Sequence, residues 1–596
     1  MIKKNKKLKE EIKNIIENNN GTEIEYASPK KYNINLVIGV VVSLIMILLV
    51  TLLLYGSNSN NVTYDKKIFD NTFVHEIDVT ISEEDYKDLL ENPLEKTKYK
   101  VSVTIDGEEM DNVSFATKGN SSLSQVASNK DSDRYSFKIN FKKFDKNQTY
   151  YGLDKLNLNN SISDPSYMKD YISYEMFRYL GIDAPLTSYV NLKINGEDKG
   201  LYVAIEEIGE SYLKRLGRKN TIIYKPESDS MDMGNKDKIE FNKENGKFDG
   251  KIDDKIDEKT DDKSEQNDKK LDASRNFTNG IPNDMLEKMP NLSDSDLEEI
   301  KKQFENGEFN FEDFDGKGFG RGMFGGANNS ASLKYTDDNI DSYKEIFDNA
   351  ETDANDNDFK RVIKALKNLS LGNVLEALNA SRVIDYFVCH NFVLNYDSYI
   401  GSMLHNYYLF ETDGLLEMIP WDYNLAFGNF MGGGNGSTTD LVNRGIDTPL
   451  SGSSEEDRPM WSFIVNNENY LNYYHERFND FLYYFESGEF EKEFDRVSEM
   501  IAPLVETDPT SFYTYEEHLE GVTNLKQFIL KRAESVRKQL DGLLSTKSSE
   551  QKDEDKVDAS DIKTSGIGFN KAPKGMKDND FTKFNNGNFE MEKRQR

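Results

Sequence analysis

The sequence has 596 residues, and its 75 Lys and Arg against 106 Asp and Glu give a formal net charge of −31. A chain this acidic is not expected to bind nucleic acid, because the displacement of phosphate counterions requires a basic surface. Its single cysteine, Cys389, excludes a disulfide framework within the chain and a multi-cysteine zinc site. The five histidines are scattered along the sequence, so oxygen ligands must hold any metal that binds.

An apolar stretch near the N-terminus predicts a membrane anchor. Residues 34–55 include twenty consecutive residues without a charge, Leu36–Tyr55, which is about the length that a helix needs to cross a hydrocarbon core. The alternatives are a buried helix and a cleaved signal peptide, although a signal peptide normally has a shorter apolar stretch. Residues 1–33 carry eight lysines, so we predict that they are cytoplasmic and that the chain after Gly56 is extracytoplasmic.

Residues 62–226 have the pattern of a folded region that is rich in strands. Alternating apolar residues predict strands, apolar residues at helical spacing predict a helix that ends at Gly181, and Asn195-Gly196 predicts a hairpin whose loop extends to Gly200. The predicted elements are strands at Lys98–Ile105, Tyr135–Phe141, Asn191–Ile194 and Leu201–Ile205 and a helix over Ser166–Leu180.

The remaining chain alternates between polar and folded patterns. Residues 251–270 contain eight acidic residues and six lysines without an aromatic residue, and we predict a disordered acidic and Gly-rich insertion over 227–331. Residues 332–545 have a folded and mainly helical pattern, with one apolar-rich helix over 374–394. Residues 546–596 are predicted to be a disordered polar tail. Together, these patterns predict an α+β fold that is interrupted by a long insertion.

The strongest chemical signal surrounds a second predicted hairpin, whose turn is Asp413-Gly414. Asp397 precedes its first strand and Asp422 follows its second strand, so both carboxylates and Asn406 are expected at one edge. Two carboxylates and an amide oxygen suit a hard cation such as Mg²⁺, which completes its shell with water and phosphate oxygens. The alternative is that Asp422 caps a turn and that Asp397 caps a helix.

This arrangement matches the logic of protein kinases. In those enzymes one aspartate receives the proton of the acceptor hydroxyl, and a following asparagine and a second aspartate bind Mg²⁺. Here Asp397 would be the catalytic base, Asn406 a metal ligand and Asp422 the principal metal ligand. Asn406 lies nine residues after Asp397, a longer spacing than in ordinary kinases, so the loop must be built differently.

Six short motifs occur in order over two regions, roughly 65–226 and 332–545. They are Lys118-Gly-Asn-Ser-Ser122, Ser136-Phe-Lys-Ile-Asn-Phe141, Asp164-Pro-Ser-Tyr-Met-Lys169, Gly200-Leu-Tyr-Val-Ala-Ile-Glu206, Asn395-Tyr-Asp397 and Pro420-Trp-Asp-Tyr-Asn424. In this order they resemble the CotH spore-coat-protein kinases, an atypical branch of the kinase-like fold. The resemblance implies a bilobal kinase-like fold and ATP-dependent transfer of phosphate to serine or threonine of proteins, with ATP and Mg²⁺ or Mn²⁺ as cofactors.

The resemblance also implies a nucleotide site in the first region. The loop that covers the nucleotide phosphates would consist of Gly119, Asn120, Ser121 and Ser122. Lys138 resembles the lysine that contacts the α- and β-phosphates, with Glu175 as its predicted ion-pair partner. Lys225 is a rival phosphate contact. The alternatives are an ordinary turn for the loop and solvent exposure for Lys138 and Glu175.

Three hypotheses follow, and the first is a membrane-anchored atypical protein kinase whose protein substrates lie at the cell or spore surface. The second is a scaffold or binding protein that keeps the fold without the chemistry. It is favoured by Asn424, which stands where many relatives have a second aspartate and which predicts a weakened second metal site. The third is transfer of AMP by the same fold.

Overall fold

The computed structural model describes residues 62–227, 329–430, 437–568 and 574. All of these residues belong to one unit, Asn61–Arg596. The predicted cytoplasmic segment and membrane helix lie outside the described residues, as does most of the predicted insertion. Within the described ranges, no helix is both long and apolar enough to cross a bilayer. The described chain combines strands and helices, which confirms the predicted α+β class.

Seven strands of the first region close into a barrel. They are β1 (His75–Thr80), β2 (Tyr99–Ile105), β3 (Glu108–Lys118), β4 (Ser136–Asn140), β5 (Lys155–Asn159), β6 (Thr187–Ile194) and β7 (Glu197–Glu206). Their order is β1-β2-β3-β4-β5-β7-β6, and the barrel closes where β6 runs parallel to β1. The other neighbouring pairs are antiparallel.

Alternating side chains fill the barrel interior. In β2, Val101, Val103 and Ile105 are buried, whereas the residues between them are more exposed. In β4, Phe137 is buried in the same core, and Lys138 points to the outer face, as a period of two requires. The two strands predicted at 98–105 and 135–141 are confirmed to within one residue at each end.

The hairpin between β6 and β7 is tighter than the sequence indicates. Ile194 pairs directly with Glu197, so the connection is the two-residue turn Asn195-Gly196. Both turn residues have positive φ angles, of 53° and 77°, which suits the twist of a two-residue hairpin. The prediction of a loop that extends to Gly200 is therefore wrong, because β7 begins at Glu197. The irregularity in the β6–β7 pairing instead lies within the strands, between Asn191 and Lys193 of β6.

A second sheet and most of the helices form the other part of the described unit. The sheet has the order β10-β9-β8, and its strands are β8 (Thr221–Tyr224), β9 (Tyr407–Thr412) and β10 (Leu415–Pro420). The helices are α1 (Glu83–Glu91), α2 (Ser121–Ser128), α3 (Lys169–Tyr179), α4 (Glu210–Leu216), α5 (Lys344–Phe347), α6 (Asp356–Ser370), α7 (Ala380–Val393), α8 (Thr438–Val442), α9 (Pro459–Val465), α10 (Glu468–Glu486), α11 (Glu489–Thr507) and α12 (Tyr515–Leu540).

Helix α3 joins the barrel to the helical part. Its residues Tyr174 and Phe177 are buried in the helical core, where the ring of Phe177 lies 5.2 Å from that of Tyr423. The helix ends before Gly181, which has a φ of 81°, as predicted. It begins at Lys169 rather than Ser166, because the Asp164 carboxylate binds the backbone N–H groups of both residues and holds the preceding turn.

The helix predicted over 374–394 is interrupted. A short 3₁₀ turn covers Val374–Glu376, and α7 begins at Ala380. Between them the backbone pairs with β10, since the Asn379 N–H donates to the Leu416 carbonyl (3.1 Å) and the Leu416 N–H donates to Ala377 (2.9 Å). Apolar periodicity alone predicts a continuous helix here, but the backbone at Ala377 and Asn379 forms hydrogen bonds with the sheet instead of helical ones.

The start of the predicted disordered tail is packed against the fold. Four apolar residues of the described part are buried, namely Val557, Ala559, Ile562 and Ile567. A 3₁₀ turn at Thr564–Ile567 lies against α12. Gly566 approaches α12 so closely that an added Cβ would collide with the side-chain amide of Asn524. Over 546–568 the prediction of disorder is therefore wrong, because widely spaced apolar residues anchor an otherwise polar segment.

Candidate active site

The hairpin β9–β10 brings together the three side chains that the sequence analysis assigns to catalysis and metal binding. Tyr407 pairs with Pro420, so the residues just before β9 and just after β10 lie at the same end. Asn406 donates from Nδ2 to the Asp397 carboxylate (3.0 Å) and to the Asp397 carbonyl (2.9 Å). Asp422 lies close enough to Asp397 for the charge of Asp397 to raise its pKa, in addition to the larger effect of burial.

The backbone around these residues is held in an unusual conformation. Leu404, Asn406 and Asp422 have φ angles of 54°, 56° and 57°, a left-handed region that costs a residue other than glycine roughly 1 kcal/mol. Helix α3 stabilises the turn after β10: the Asp422 N–H donates to the Tyr174 hydroxyl (2.9 Å), and the Tyr423 N–H donates to Asp170 Oδ1 (2.9 Å). Strain at this position is thus compensated by specific hydrogen bonds.

Asp397 is held on its other side by a histidine. His405 Nε2 lies 2.6 Å from Asp397 Oδ1, and both side chains are largely buried. Burial opposes the charged form of His405, but the adjoining Asp397 carboxylate raises its pKa above the ordinary value. Asp397 therefore receives a hydrogen bond on each carboxylate oxygen, one from His405 and one from Asn406.

The outer face of the barrel supplies the lysines. Ala116 of β3 pairs with Lys138 of β4, and Lys138 pairs with Asn157 of β5, so Lys118, two residues further along β3, lies on the same face as Lys138. Lys118 Nζ donates to the Asn159 side chain (2.6 Å). The charges of Asp422 and Asp170 act on the pKa of Lys118, which places this face of the barrel opposite the end of the hairpin.

The predicted ion pair between Lys138 and Glu175 is not formed. Lys138 Nζ instead lies 2.7 Å from Glu207, and Glu175 lies 2.6 Å from Arg178 on its own helix. The physical reason is position: Glu207 directly follows β7 on the barrel, whereas Glu175 sits one helical turn before Arg178. Although burial opposes it, the charge of Lys138 lowers the pKa of Glu207 to about 2, so Glu207 is ionised at neutral pH.

Lys118 has no carboxylate partner in the part of the chain that the structure describes. Among the described residues no acidic oxygen lies within 4.0 Å of its Nζ atom, and Asp422 likewise makes no ion pair and accepts no hydrogen bond on its carboxylate. Burial lowers the pKa of Lys118, and the charge of Asp422 opposes this effect. A cation and an anion thus face the same space without pairing directly.

The predicted phosphate loop leads into α2. Gly119 has a φ of 104°, and an added Cβ would lie 2.7 Å from the Ser122 hydroxyl oxygen, so the position requires glycine. Asn120 is the residue before the helix, where its side chain accepts from Lys96 Nζ (2.8 Å) and makes no capping hydrogen bond. Ser121 and Ser122 form the first turn of α2, where backbone N–H groups are directed toward any anion that approaches.

The remaining predicted residues have different surroundings. Lys225 follows β8 and pairs with Glu227 at 2.6 Å, and its charge acts on the pKa of both Asp422 and His405. The charge of Glu207, which follows β7, acts in turn on the pKa of Lys225, so Lys225 lies near the same cluster of charges. Cys389 is fully buried in α7, and burial raises the pKa of its thiol, so it is not poised to act as a nucleophile.

The donor set fits a magnesium ion that arrives with a nucleotide. Among the described residues no group of three or more His, Cys, Asp or Glu side chains is arranged to hold a metal by itself. Mg²⁺ is commonly bound by one or two carboxylates together with substrate phosphates and water. The uncommitted Asp422 carboxylate and the side-chain oxygen of Asn406 are ligands of this kind, whereas a metal that needs a complete protein shell does not fit.

Sequence reasoning missed four residues of this cluster as site residues, namely Lys118, Asp170, Glu207 and His405. Burial and the nearby charge of Asp422 raise the pKa of Asp170. His405 and Lys118 adjoin the assigned residues Asn406 and Gly119, and Lys118 is the first residue of one of the motifs. Asp170 and Glu207 follow the motifs Asp164–Lys169 and Gly200–Glu206 by one residue, and only the fold shows that they face the same cluster.

The comparisons with known proteins agree with the class that the motifs indicate. The family model described as "CotH kinase protein" matches residues 115–294 and 295–536, which is more than half of the chain. The protein therefore belongs to the CotH family. It is also similar to the inner spore coat protein H of Bacillus subtilis (strain 168), with 32% identity over 84 residues, or 14% of this chain. This alignment spans 23% of the length of that curated relative.

Proposed function

We propose that the protein is an atypical protein kinase that transfers the γ-phosphoryl group of ATP to serine or threonine hydroxyls of protein substrates. The observation that carries this proposal is a pair of opposite charges that form no ion pair among the described residues, Lys118 on the barrel and Asp422 after the hairpin, with Asp397 beside them. Such a space accommodates the phosphates of a nucleotide and a bound cation. The kinase-like bilobal arrangement is part of the same proposal.

Each side of the site has its own task in this proposal. Lys118 and the backbone N–H groups at the start of α2 bind the phosphate oxygens, and Glu207 holds Lys138 beside them. Asp422 and Asn406 hold Mg²⁺ or Mn²⁺, which neutralises charge on the phosphates when bound. Because the lysines and carboxylates are fixed by the fold, catalysis comes mainly from positioning and preorganised charge.

Asp397 accepts the proton of the attacking hydroxyl. Its two carboxylate oxygens each accept one hydrogen bond, and a carboxylate oxygen has lone pairs for a second donor. The acceptor hydroxyl can therefore donate to Asp397 while its oxygen faces the phosphate. General-base assistance of this kind contributes about 10²- to 10⁴-fold to rates.

We also propose a location. The predicted helix at 34–55 would anchor the protein in a membrane, with the described unit outside the cytoplasm. The similarity to an inner spore coat protein supports association with the spore. Proteins of the spore or cell surface are then the expected substrates, and ATP must reach the same compartment.

The test is intact-mass spectrometry of the full chain incubated with ATP and Mg²⁺ or Mn²⁺. We expect increments of about 80 Da, one phosphoryl group each, that are lost in Asp397→Ala and Asp422→Ala. Asp447→Asn is the matched control, because Asp447 also contacts a histidine (2.7 Å to His475) but lies outside this cluster. Its increments should equal those of the parent.

Other outcomes of this experiment contradict the proposal in distinct ways. Increments of about 329 Da would indicate transfer of AMP rather than phosphate. If the protein shows no mass increment and calorimetry detects no nucleotide binding, the protein is a scaffold. Transfer that survives in Asp397→Ala would remove this residue from the catalytic role, and nucleotide affinity that is unchanged in Asp422→Ala with Mg²⁺ would remove Asp422 from the metal site.

A further inference from the structure

The segment between Asp397 and β9 holds a histidine whose placement is more specific than packing requires. His405 Nε2 lies 2.6 Å from Asp397 Oδ1, which is near the short end of the range for hydrogen bonds of this kind. The residues on both sides of His405, Leu404 and Asn406, have left-handed backbone conformations. Neither is a glycine, so the surrounding structure imposes this conformation, as is common at functional sites.

The backbone conformation of this segment directs the side chains of His405 and Asn406 onto a single carboxylate, that of Asp397. Asn406 donates to Asp397 Oδ2 at 3.0 Å, and His405 reaches Oδ1. A carboxylate that is held at only one oxygen can rotate about its terminal torsion, for which the rotamer wells are broad. With both oxygens held, the plane of the Asp397 carboxylate is fixed. Its remaining lone pairs therefore have a defined direction.

We propose that His405 is a positioning residue that orients Asp397 toward the acceptor hydroxyl. This assignment rests on the proposed kinase function and adds a residue to it. His405 does not touch the substrate in this account, and it acts only through Asp397. Removing it should therefore lower the rate of transfer while leaving the binding of the nucleotide largely intact.

The chain offers a matched control for this assignment. His475 Nε2 lies 2.7 Å from Asp447 Oδ1, so the two form a second histidine–aspartate pair of similar length. Among the described residues, this pair makes no hydrogen bond or ion pair with the lysines and carboxylates of the site. Both aspartates are nearly buried. A general effect of losing a buried histidine–aspartate contact would therefore appear in both pairs, whereas a positioning effect would appear only at His405.

The experiment compares His405→Ala, His405→Gln and His475→Ala in the full chain. Autophosphorylation with labelled ATP and Mg²⁺ gives kcat and the KM for ATP, and thermal unfolding monitors the fold. For His405→Ala we expect a loss in kcat of about 10²-fold, as for other small misplacements of catalytic groups, with a KM within about threefold of the parent. His405→Gln, whose Nε2 can still donate to Asp397, should recover most of the rate.

The outcomes separate this inference from the function on which it rests. A parent chain that transfers no phosphate overturns the proposed function and this assignment together. An active parent with an equally active His405→Ala variant overturns the assignment alone. The assignment is also overturned if His405→Gln loses as much rate as His405→Ala at an unchanged unfolding temperature, or if His475→Ala loses as much as His405→Ala.

Discussion

Lys118 and Lys138 lie on one face of neighbouring strands, yet their charges are compensated differently. Lys138 is paired with Glu207 at 2.7 Å, whereas Lys118, among the described residues, donates to the amide oxygen of Asn159 and lies 5.9 Å from the centre of the Trp421 ring. A buried ammonium group without a carboxylate partner is costly to the folded state. Such a cost is common at functional sites, where a ligand supplies the missing charge. At the scale of single residues, Lys118 is therefore the lysine that we expect the nucleotide to neutralise.

This difference predicts that replacing Lys118 mainly weakens ATP binding, whereas replacing Lys138 mainly lowers the stability of the fold. Lys118→Met should weaken the binding of ATP with Mg²⁺ by about 10- to 100-fold, the equivalent of one charged hydrogen bond, and should leave the free energy of unfolding unchanged or raised. Lys138→Met should lower the free energy of unfolding by about 1–3 kcal/mol, because it leaves Glu207, with a side chain only 5% exposed, without its partner. Calorimetry and urea unfolding of both variants measure these effects. Parent-like ATP affinity in Lys118→Met would contradict this assignment.

At the scale of elements, local signals in the sequence predict the parts of the site better than they predict its assembly. The hairpin β9–β10 follows from alternation around Asp413-Gly414, and this places Asp397 and Asp422 at one end. The approach of Lys118 and Asp170 to Asp422 depends on how the barrel packs on α3, and no local pattern contains that information. For the same reason the sequence predicted that Glu175, on α3, is the partner of Lys138, whereas the partner in the structure is Glu207.

The tail shows the same limit in another form. Its composition is polar, and the hydrophobic residues that anchor it are too widely spaced to give a periodic signal. We predict that Ile562→Ala, at a side chain that is 2% exposed, lowers the free energy of unfolding by about 2–4 kcal/mol. Leu543→Ala is the control, because Leu543 is 61% exposed and should change stability by less than about 0.5 kcal/mol. Equal values for the two variants in urea unfolding would show that the tail contributes nothing to the core.

At the scale of the whole molecule, a buried ion pair links the barrel to the helical part. Arg134, which precedes β4, contacts Asp508, which follows α11, at 2.9 Å, and both side chains are fully buried. Arg134 also donates to backbone carbonyls of the barrel, including that of Lys199 (3.0 Å), and the Leu201 N–H donates to Asp508 (2.9 Å). The pair therefore fixes the helical part to the β6–β7 side of the barrel, while α3 fixes it beside the site.

We predict that Arg134→Ala lowers the free energy of unfolding by about 3–5 kcal/mol, because it leaves the Asp508 charge buried without its partner. The exposed pair between Lys526 and Asp495, at 2.8 Å, supplies the control, since Lys526→Ala should cost less than about 1 kcal/mol.

Both tryptophans, Trp421 and Trp461, lie in the helical part, so fluorescence follows that part and far-ultraviolet circular dichroism follows the whole fold. In the parent the two urea transitions should coincide, whereas in Arg134→Ala they should separate as the barrel and the helical part lose their link. Coincident transitions and a cost similar to that of Lys526→Ala would show that this ion pair does not hold the two parts together.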